Sequence, residues 1–287
     1  MLQAVTDDRA LSVAPTPERV GAFTFDEIER FTDKWKSLDW QIVPERALAP
    51  AVNVALDEVL AERVASGSRP PTLRFWRWSE PAVIIGRTQA VENEVDFNAA
   101  TAMGVTVVRR MTGGGAMFVQ PHGAITYSLY LPEKAVAGLS IRQSYEVCEA
   151  WVIRGLRSLG VDAHHVPIND IACPDGKIGG SAQARRRGIV LHHTTIAYDM
   201  DPRDMVRVLR IGREKINDKA TASAAKRVSP LVRQTGLARE AIVEHLLKAF
   251  QTQFGGRLDG ISDAEMLEAD KLVVDKYGTD EWTRAFG

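Results

Sequence analysis

The chain has 287 residues, of which 45% are hydrophobic and 25% charged, and its formal net charge is -1. This balance excludes a globally basic surface for nucleic acid or an anionic membrane, so any anion site must be local. Two cysteines are too few for a disulfide framework or a cysteine-rich zinc site. No apolar run approaches the roughly 18 residues of a membrane span, and the N-terminus lacks the basic-then-apolar order of a signal peptide. We therefore expect a cytoplasmic protein with neither a nucleic-acid nor a membrane partner.

The first elements follow a segment without sustained periodicity. Residues 1–20 carry two closely spaced prolines, which predicts a flexible arm. Thr24 is then a candidate N-cap for the first helix. Periodicity predicts two helices and four strands up to Arg110. In chain order these are the helix TFDEIERFTDKWKSL, the strand DWQIVPE, the helix APAVNVALDEVLAERVAS, and the strands TLRFWRWS, AVIIG and VTVVRR.

A second group of elements follows the glycines at 113–115. Because strands occur in clusters and strict βαβα alternation is missing, we predict an α+β fold with mixed or antiparallel sheets flanked by helices. Residues 21–287 are expected to form one domain with a helical C-terminal portion. The elements before that portion are the strand AITYSLYL, the helix IRQSYEVCEAWVIRGLRSLG ended by Gly160, and strands near NDIAC, GKIGGSAQA and IVLHHTTIAYD.

Three consecutive glycines stand in the segment RRMTGGGAMF, from Arg109 to Phe118. Between two strands, they let the backbone adopt positive φ and approach a ligand without a Cβ in the way. Successive exposed N–H groups make an anion site, to which Arg109 or Arg110 can add a charge-assisted bond. A glycine-rich hairpin turn explains the same residues equally well. The spacing matches neither a P-loop nor a dinucleotide-binding fingerprint.

A lysine lies in a second glycine-containing segment, NDIACPDGKIGGSAQARRRGIVLHH, from Asn169 to His193. Lys177 follows a Pro-Asp-Gly turn and precedes a glycine pair, which predicts a β-hairpin with the lysine at a strand entry. There it can hold a phosphate or stabilise the charge that develops on a carbonyl during acyl transfer. Taken alone, a lysine beside a turn is more often a solvated surface residue. His192 and His193 alternate faces, so only one of them reaches a given pocket.

Taken together and in this order, these segments resemble the lipoate-protein ligase A family, within the biotin and lipoate ligase superfamily. The resemblance extends from about Trp40 to Trp282 and implies a biotin/lipoate protein ligase-like catalytic domain over residues 21–287. It rests on five spaced segments, NVALDEVL, RRMTGGGAMF, NDIACPDGKIGGSAQARRRGIVLHHTTI, DKATASAAKRVSPL and KYGTDEW.

The resemblance implies an ATP-dependent lipoate-protein ligase. In that family, lipoate attacks the α-phosphate of ATP to give lipoyl-AMP, and a lysine of an acceptor domain then takes the lipoyl group. The implied cofactors are ATP and Mg²⁺, with lipoate as substrate. The implied partners are lipoyl domains of 2-oxoacid dehydrogenases and the glycine-cleavage H protein. Short relatives that lack the family's C-terminal domain need a separate small accessory subunit for activation, so we expect that this chain either has such a partner or transfers a preformed adenylate.

The resemblance also assigns roles to residues of the two glycine-containing segments. Lys177 is the implied catalytic residue, and Asp170 is expected near Mg²⁺. Arg110 is the arginine expected to face the ligand. The segment KATASAAKRVSPL resembles the family's adenylate-binding loop. The implied substrate- and adenylate-binding residues are Arg110, Gly113, Gly114, Gly115, Ala116, Phe118, Asn169, Asp170, Gly180, Ala182, His193 and Thr195.

Departures from the family pattern keep other activities open. Val119 stands where the family has histidine, with His122 nearby, and Thr194 stands where it has glycine. One alternative is an octanoyl or lipoyl transferase of the same fold, which carries a cysteine a few residues before the strand NDI. The segment HHVPINDI has none, which favours the ligase. The other alternative is a non-catalytic lipoyl-adenylate binder, while a biotin ligase is disfavoured because its glycine-rich loop would read GRGRxG.

Overall fold

The computed structural model describes residues 19–210 and 228–286. Strands and helices alternate irregularly along these ranges. The strands are β1 (Gln41–Val43), β2 (Ala47–Leu48), β3 (Thr72–Trp78), β4 (Ala82–Ile85), β5 (Thr106–Arg109), β6 (Met117–Val119), β7 (Ala124–Pro132), β8 (His164–Val166), β9 (Asp170–Cys173), β10 (Gly176–Arg186), β11 (Ile189–Ala197) and β12 (Arg257–Leu258). The helices are α1 (Phe25–Thr32), α2 (Pro50–Ala65), α3 (Val91–Glu94), α4 (Phe97–Ala102), α5 (Ile141–Ser158), α6 (Pro202–Val208), α7 (Leu231–Thr235), α8 (Arg239–Phe254), α9 (Asp263–Leu272) and α10 (Asp280–Thr283).

Two mixed β-sheets organise the fold. The large sheet has the strand order β12-β1-β3-β7-β11-β10-β9-β8, with β2 paired to β3. The small sheet has the order β5-β4-β6. In the large sheet β1 runs parallel to β3 and β12, whereas the strands from β3 to β8 in that order pair antiparallel. The predicted α+β fold, with mixed sheets flanked by helices, is confirmed.

Local sequence explains where the helices begin and end. Thr24 and Ser140 each cap a helix through a capping box, in which a side chain three residues on bonds back to the cap. Gly160, with φ +84°, follows the end of α5 as predicted. The first helix is shorter than predicted, because it ends at Thr32 and continues as a 3₁₀ turn. Strands β2, β6, β8 and β12 were not predicted, since two or three residues are too few to show alternation.

The large sheet separates two layers of side chains. On one face, α5 and α8 pack around Trp40, Trp151 and Phe250. On the other face, α2, α9 and the small sheet pack around Trp76 and Trp78. The two faces therefore have different roles: one is a continuous apolar core, and the other is shared with a second sheet.

Strand register decides which residues face the small sheet. In the β10–β11 pair, Ala182 lies opposite His193 and Gly180 lies opposite Thr195. Directly opposite residues share a face, and His193 contacts α2 while Ala182 contacts the loop of the small sheet. Ser181, which lies between them, points toward α5. The predicted site residues of these two strands thus lie between the two sheets.

Two predicted segments fall wholly or largely outside the described residues. These are the arm over residues 1–20, of which only the last two are described, and the adenylate-loop segment before Val228. The C-terminal portion that is described, from α7 to α10, is mostly helical as predicted. Within residues 19–210 and 228–286, no helix combines the length and the hydrophobicity needed to cross a bilayer.

Candidate active site

The three glycines lie in the segment that connects β5 to β6. Both strands pair with β4 and not with each other, so the segment is not a hairpin turn. Gly113, Gly114 and Gly115 are exposed, and Gly114 has φ +89°, which disfavours any side chain. A Cβ on Gly86 would lie 2.0 Å from the carbonyl oxygen of Gly114. The glycine loop, residues 112–116, is therefore held closely against the end of β4.

Arg110 shapes this loop from below. Its side chain is buried, and its three nitrogens donate to the Thr112 hydroxyl and to the carbonyls of Ile84, Gly113 and Gly115, at 2.6–3.0 Å. Burial lowers the pKa of Arg110 to about 10, so the guanidinium is still protonated at pH 7. These contacts correct the prediction that Arg110 faces the ligand, because its three nitrogens bond to the glycine loop and to β4.

Arg110 bonds to carbonyl groups of the glycine loop and not to its amides, because a guanidinium can only donate. Among the described residues, none accepts a hydrogen bond from the N–H groups of Gly113, Gly114 or Gly115. Three successive free N–H groups, backed by a buried cation, form a site for a negatively charged oxygen. The anion-site interpretation of the glycine run is thus supported by geometry.

Arg109 has a different, structural role. Its guanidinium donates to five backbone carbonyls, three from the segment after β4 and two from α10. Trp282 returns a hydrogen bond from its indole to the carbonyl of Arg109, at 2.9 Å. This exchange ties the C-terminal segment to β5, directly before the glycine loop.

Lys177 lies at the start of β10, in the predicted hairpin with β9. Its Nζ is 2.7 Å from Oδ1 of Asp170, and both side chains are partly exposed. A Cβ on Gly180 would lie 3.0 Å from this Nζ, so the glycine leaves room for the ammonium. The backbone of Lys177 pairs with Val228 and accepts from the amide of Ser229, where the chain resumes after the undescribed segment.

The lysine and the glycine loop meet on one strand face. Gly114 lies over Ala182, since a Cβ on the glycine would be 3.9 Å from the alanine methyl. Gly180, which contacts Lys177, is two residues from Ala182 on the same face, roughly 7 Å along the strand. Thr195 lies opposite Gly180 and shares a hydroxyl contact of 3.1 Å with Thr126. A polar carbonyl group between the loop amides and the ammonium would therefore meet donors from both sides.

His193 lies beneath the loop and not at the surface of the site. It is 6% exposed, and its Nε2 is 2.8 Å from the Thr112 hydroxyl. Its Nδ1 is 2.8 Å from Oδ2 of Asp57. The predicted pocket residue is thus present, but it reaches a ligand only through the loop.

Asp57 is the residue that sequence analysis missed. It lies in α2, which was predicted to bury one side through its Ala and Leu spacing, whereas the structure also buries Asn53, Asp57 and Glu58. The helix lies between the large sheet and α9, so little of its surface is left for solvent. A carboxylate within an apolar helix pattern is the signal that could have indicated a buried partner.

Two implied binding residues point away from the site. Phe118 is 4% exposed and packs with Val83 and Ile85 on the far side of the small sheet. Ala116 packs against the same cluster. Their predicted contacts with substrate are corrected, because alternation along β6 turns Phe118 to the outer face.

Two further implied residues serve the β9–β10 hairpin. Asn169 donates from its side-chain amide to the carbonyl of Ser181, at 2.6 Å, and thereby anchors the turn before β9. Asp170 is used by Lys177, and the described residues contain no group of three His, Cys, Asp or Glu side chains that could hold a metal ion. The structure therefore gives Asp170 a role in holding the lysine, and its predicted role near Mg²⁺ gains no support from the surrounding residues.

Neither Val119 nor the nearby His122 provides, at the site, the histidine that the family pattern places after the glycines. Val119 is fully buried among the side chains between the sheets. His122 is exposed on the turn before β7, where its Nδ1 is 3.2 Å from Arg77. The position of His122 therefore gives no support for a replacement of that histidine.

Neither cysteine of the chain reaches this face. Cys148 lies in α5 and Cys173 at the end of β9, and both are buried in the apolar core on the opposite side of the large sheet. Burial raises the pKa of the Cys148 thiol well above its usual range, so it remains protonated at neutral pH. The candidate active site therefore has no thiol.

With this geometry in place, comparisons with known proteins identify relatives. Residues 49–254 match the family model described as the lipoyl protein ligase A/B catalytic domain. An octanoyltransferase LipM from Kyrpidia tusciae is 33% identical over 270 residues, covering 85% of this chain and 97% of that protein. The corresponding enzyme from Geobacillus kaustophilus is 29% identical with the same coverage of both chains.

Solved structures show the same fold. A bi-partite lipoate protein ligase from Thermoplasma acidophilum superimposes with a TM-score of 0.76 at 28% identity, covering 87% of this chain and 97% of that chain. A lipoate-protein ligase A bound with ATP gives a TM-score of 0.74 at 26% identity, covering 87% of this chain and 99% of that chain. The first curated relatives, however, are named octanoyltransferases. The predicted ATP-dependent lipoate-protein ligase is therefore wrong, and with it the support for ATP and Mg²⁺ as cofactors is lost.

Proposed function

This chain belongs to the lipoyl protein ligase A/B catalytic-domain family, and we propose that it is an acyltransferase that moves an octanoyl group from a thioester donor to a lysine amine of an acceptor lipoyl domain. The observation that carries the proposal is its similarity, over 97% of their length, to relatives named octanoyltransferase. The position of Lys177 beside the glycine loop is the geometry that such a transfer needs.

The site can stabilise the oxyanion of a tetrahedral intermediate. The thioester carbonyl enters between the ammonium of Lys177 and the free amides of the glycine loop, both of which donate to the developing negative oxygen. The lysine amine of the acceptor attacks the carbonyl carbon and forms a C–N bond. The C–S bond of the donor then breaks, and the departing sulfur takes the proton that the amine loses. Asp170, 2.7 Å from Lys177, keeps the ammonium in place.

The proposed route has no covalent acyl-enzyme intermediate. A transferase of this fold was expected to carry a cysteine before the strand NDI, but both thiols of this chain are buried in the core on the other side of the sheet. Direct attack by the acceptor amine requires only that donor and acceptor occupy the site together. The proposal therefore predicts a ternary complex of enzyme, acylated donor and acceptor.

The acceptor is proposed to be a lipoyl domain, in line with the neighbour from Thermoplasma acidophilum, which is described with its E2 lipoyl domain. Two residues of the triple arginine at 185–187 are already paired within the chain, which leaves less basic charge for such a domain. Arg186 and Arg187 pair with Glu58 and Glu62 of α2. The glycine-cleavage H protein as a second acceptor, and a small accessory subunit, remain predictions.

Mass spectrometry of the acceptor tests the activity. The purified chain is incubated with an octanoylated carrier protein and a lipoyl domain, once without nucleotide and once with free lipoate and ATP in place of the carrier. We expect octanoylation of the lipoyl domain without ATP and a loss of about 10²- to 10³-fold in rate for Lys177→Ala. Lys248→Ala is the matched control, since Lys248 is an exposed lysine paired with Glu244 on α8.

The outcome separates the alternatives. Modification that requires free lipoate and ATP would overturn the proposed activity. The intact mass of the enzyme after incubation with donor alone should be unchanged, and an octanoyl group found on Cys148 or Cys173 would overturn the direct route while leaving the transferase activity in place.

A further inference from the structure

A continuous hydrogen-bond chain runs from α2 to the glycine loop. Asp57 accepts from the hydroxyls of Ser128 and Tyr130 through Oδ1, and Oδ2 contacts Nδ1 of His193. The Nε2 of His193 contacts the hydroxyl of Thr112. Asp57, His193 and Thr112 are 2%, 6% and 0% exposed, so solvent does not compete with these bonds.

While His193 is neutral, the hydrogen bonds that connect Asp57 to Arg110 can run in one direction only. An ionised carboxylate only accepts, so His193 donates from Nδ1 to Asp57, and its Nε2 must then accept. Thr112 supplies the hydroxyl proton to Nε2. The oxygen of Thr112 in turn accepts from Nε of Arg110, at 3.0 Å. Every step therefore fixes the hydrogen-bonding direction of the next one.

The chain ends at the carbonyls of the glycine loop. Arg110 donates from one terminal nitrogen to the carbonyls of Gly113 and Gly115, at 2.6 and 2.9 Å. In a trans peptide the N–H points opposite to the C=O of the preceding residue, so those two bonds direct the N–H groups of Gly114 and Ala116 away from Arg110. Because Thr112 holds the Nε end of the same guanidinium, the orientation of Arg110 depends on the hydroxyl of Thr112.

We infer that Asp57, His193 and Thr112 form a positioning relay that orients Arg110 and thereby sets the free amides of the glycine loop for the acyl donor. The inference rests on the proposed function, since it assigns the loop to the thioester. None of the three residues touches substrate in this arrangement. They act through Arg110, and their loss should weaken use of the donor while leaving use of the acceptor unchanged.

Thr112 offers a pair of variants that isolates the hydroxyl. Thr112→Val keeps the shape but removes the proton and the acceptor, whereas Thr112→Ser keeps the hydroxyl. We expect Thr112→Val to lower kcat/KM for the octanoyl donor by about 10- to 100-fold, the effect of losing one or two buried hydrogen bonds. The KM of the lipoyl domain should stay within about threefold, and Thr112→Ser should restore most of the donor kcat/KM.

A second readout does not depend on activity. The amide of Arg87 donates to the carbonyl of Thr112, at 2.8 Å, and the amide of Arg110 donates to Ile85, at 3.0 Å. Hydrogen exchange at these two amides reports whether the loop is held. We expect faster exchange in Thr112→Val than in wild type or Thr112→Ser. Glu149→Gln, which alters a buried carboxylate–histidine pair on the other face of the sheet, is the matched control and should leave these amides unchanged.

These readouts distinguish the two levels of the proposal. If wild type transfers no octanoyl group but Thr112→Val still loosens the two amides, the proposed function fails and the relay stands. If wild type is active and Thr112→Val matches it in donor kcat/KM and in exchange, the relay is overturned. An equal loss of donor kcat/KM in Thr112→Val and Thr112→Ser would also overturn it, because the hydroxyl would then not be the deciding group.

Discussion

Two buried carboxylate–histidine pairs lie on opposite faces of the large sheet. On the site face, His193 bonds through Nδ1 to Asp57, at 2.8 Å. On the core face, His165 bonds through Nδ1 to Glu149, at 2.6 Å. All four side chains are buried, so the local chemistry of the two pairs is nearly the same.

The pairs differ in what surrounds them. The site-face pair is connected at both ends, to Ser128 and Tyr130 through the carboxylate and to Thr112 through Nε2 of the histidine. In the core-face pair, Nε2 of the histidine and Oε1 of the carboxylate have no hydrogen-bond partner among the described residues. A buried pair can therefore fix the orientation of a neighbouring group only if its remaining polar atoms are hydrogen-bonded. Of these two pairs, only the site-face pair meets that condition.

The comparison predicts that disturbing the loop itself has the largest effect. Gly86→Ala would place a methyl group 2.0 Å from the carbonyl oxygen of Gly114, so the loop or β4 must move. We expect octanoyl transfer to fall by about 100-fold, as for a misplacement of about 1 Å in a catalytic site. Gly260→Ala is the control, because nothing lies within 4 Å of its Cβ position. Activity within threefold of wild type for Gly86→Ala would contradict the close approach.

A smaller effect is expected when the carboxylates of the two pairs are exchanged for amides. Asp57→Asn can present an amide N–H to Nδ1 of His193, so Nδ1 is no longer fixed as a donor and Nε2 is no longer fixed as the acceptor from Thr112. We expect kcat/KM for the donor to fall by about 10- to 100-fold. Glu149→Gln should leave this constant within threefold and lower the free energy of unfolding by about 1 kcal/mol. Kinetics and denaturant unfolding of both variants test the contrast, which fails if the two lose equal activity.

A third histidine, His192, lies beside His193 but faces the core, so we expect it to affect stability and not octanoyl transfer. Burial, followed by the nearby His193 and His165, lowers the pKa of His192 to about 3 from its usual 6.5. The unfolded chain therefore binds this proton at a pH at which the folded chain does not. Stability from this group is complete above pH 6.5 and is lost as the pH falls toward 3, by up to about 1.4 kcal/mol per pH unit.

Urea unfolding of wild type and His192→Gln between pH 7 and 4 measures this contribution. The variant should show a shallower loss of stability with falling pH. The carboxylates that titrate in the same range are common to both proteins, so the difference in slope belongs to His192. Identical slopes would show that the histidine does not stay neutral in the folded chain.

Sequence patterns predicted more of the scaffold and of the two glycine-containing segments than of their function. The capping residue Thr24, the hairpin that carries Lys177 and the α+β class follow from local signals and are confirmed. The expected activity was wrong, because proteins described as lipoate ligases share this fold while the first curated relatives are named octanoyltransferases. The prediction that Arg110 faces the ligand was corrected as well. A sequence shows the charge of a side chain but not which carbonyl groups will surround it.

By itself, the sequence determined which positions are glycine and in which segments apolar and polar side chains alternate as in a strand. Glycines at 113–115 and 180, and the lysine between them in the chain, already defined the elements of the site. Only the tertiary structure decided how they act, by laying the loop over Ala182 and by burying Asp57 beneath it. The physical reason is that alternation gives two faces to every strand without saying which elements cover each face. The bonds that join Asp57 to His193, 136 residues apart, form only when that choice is made.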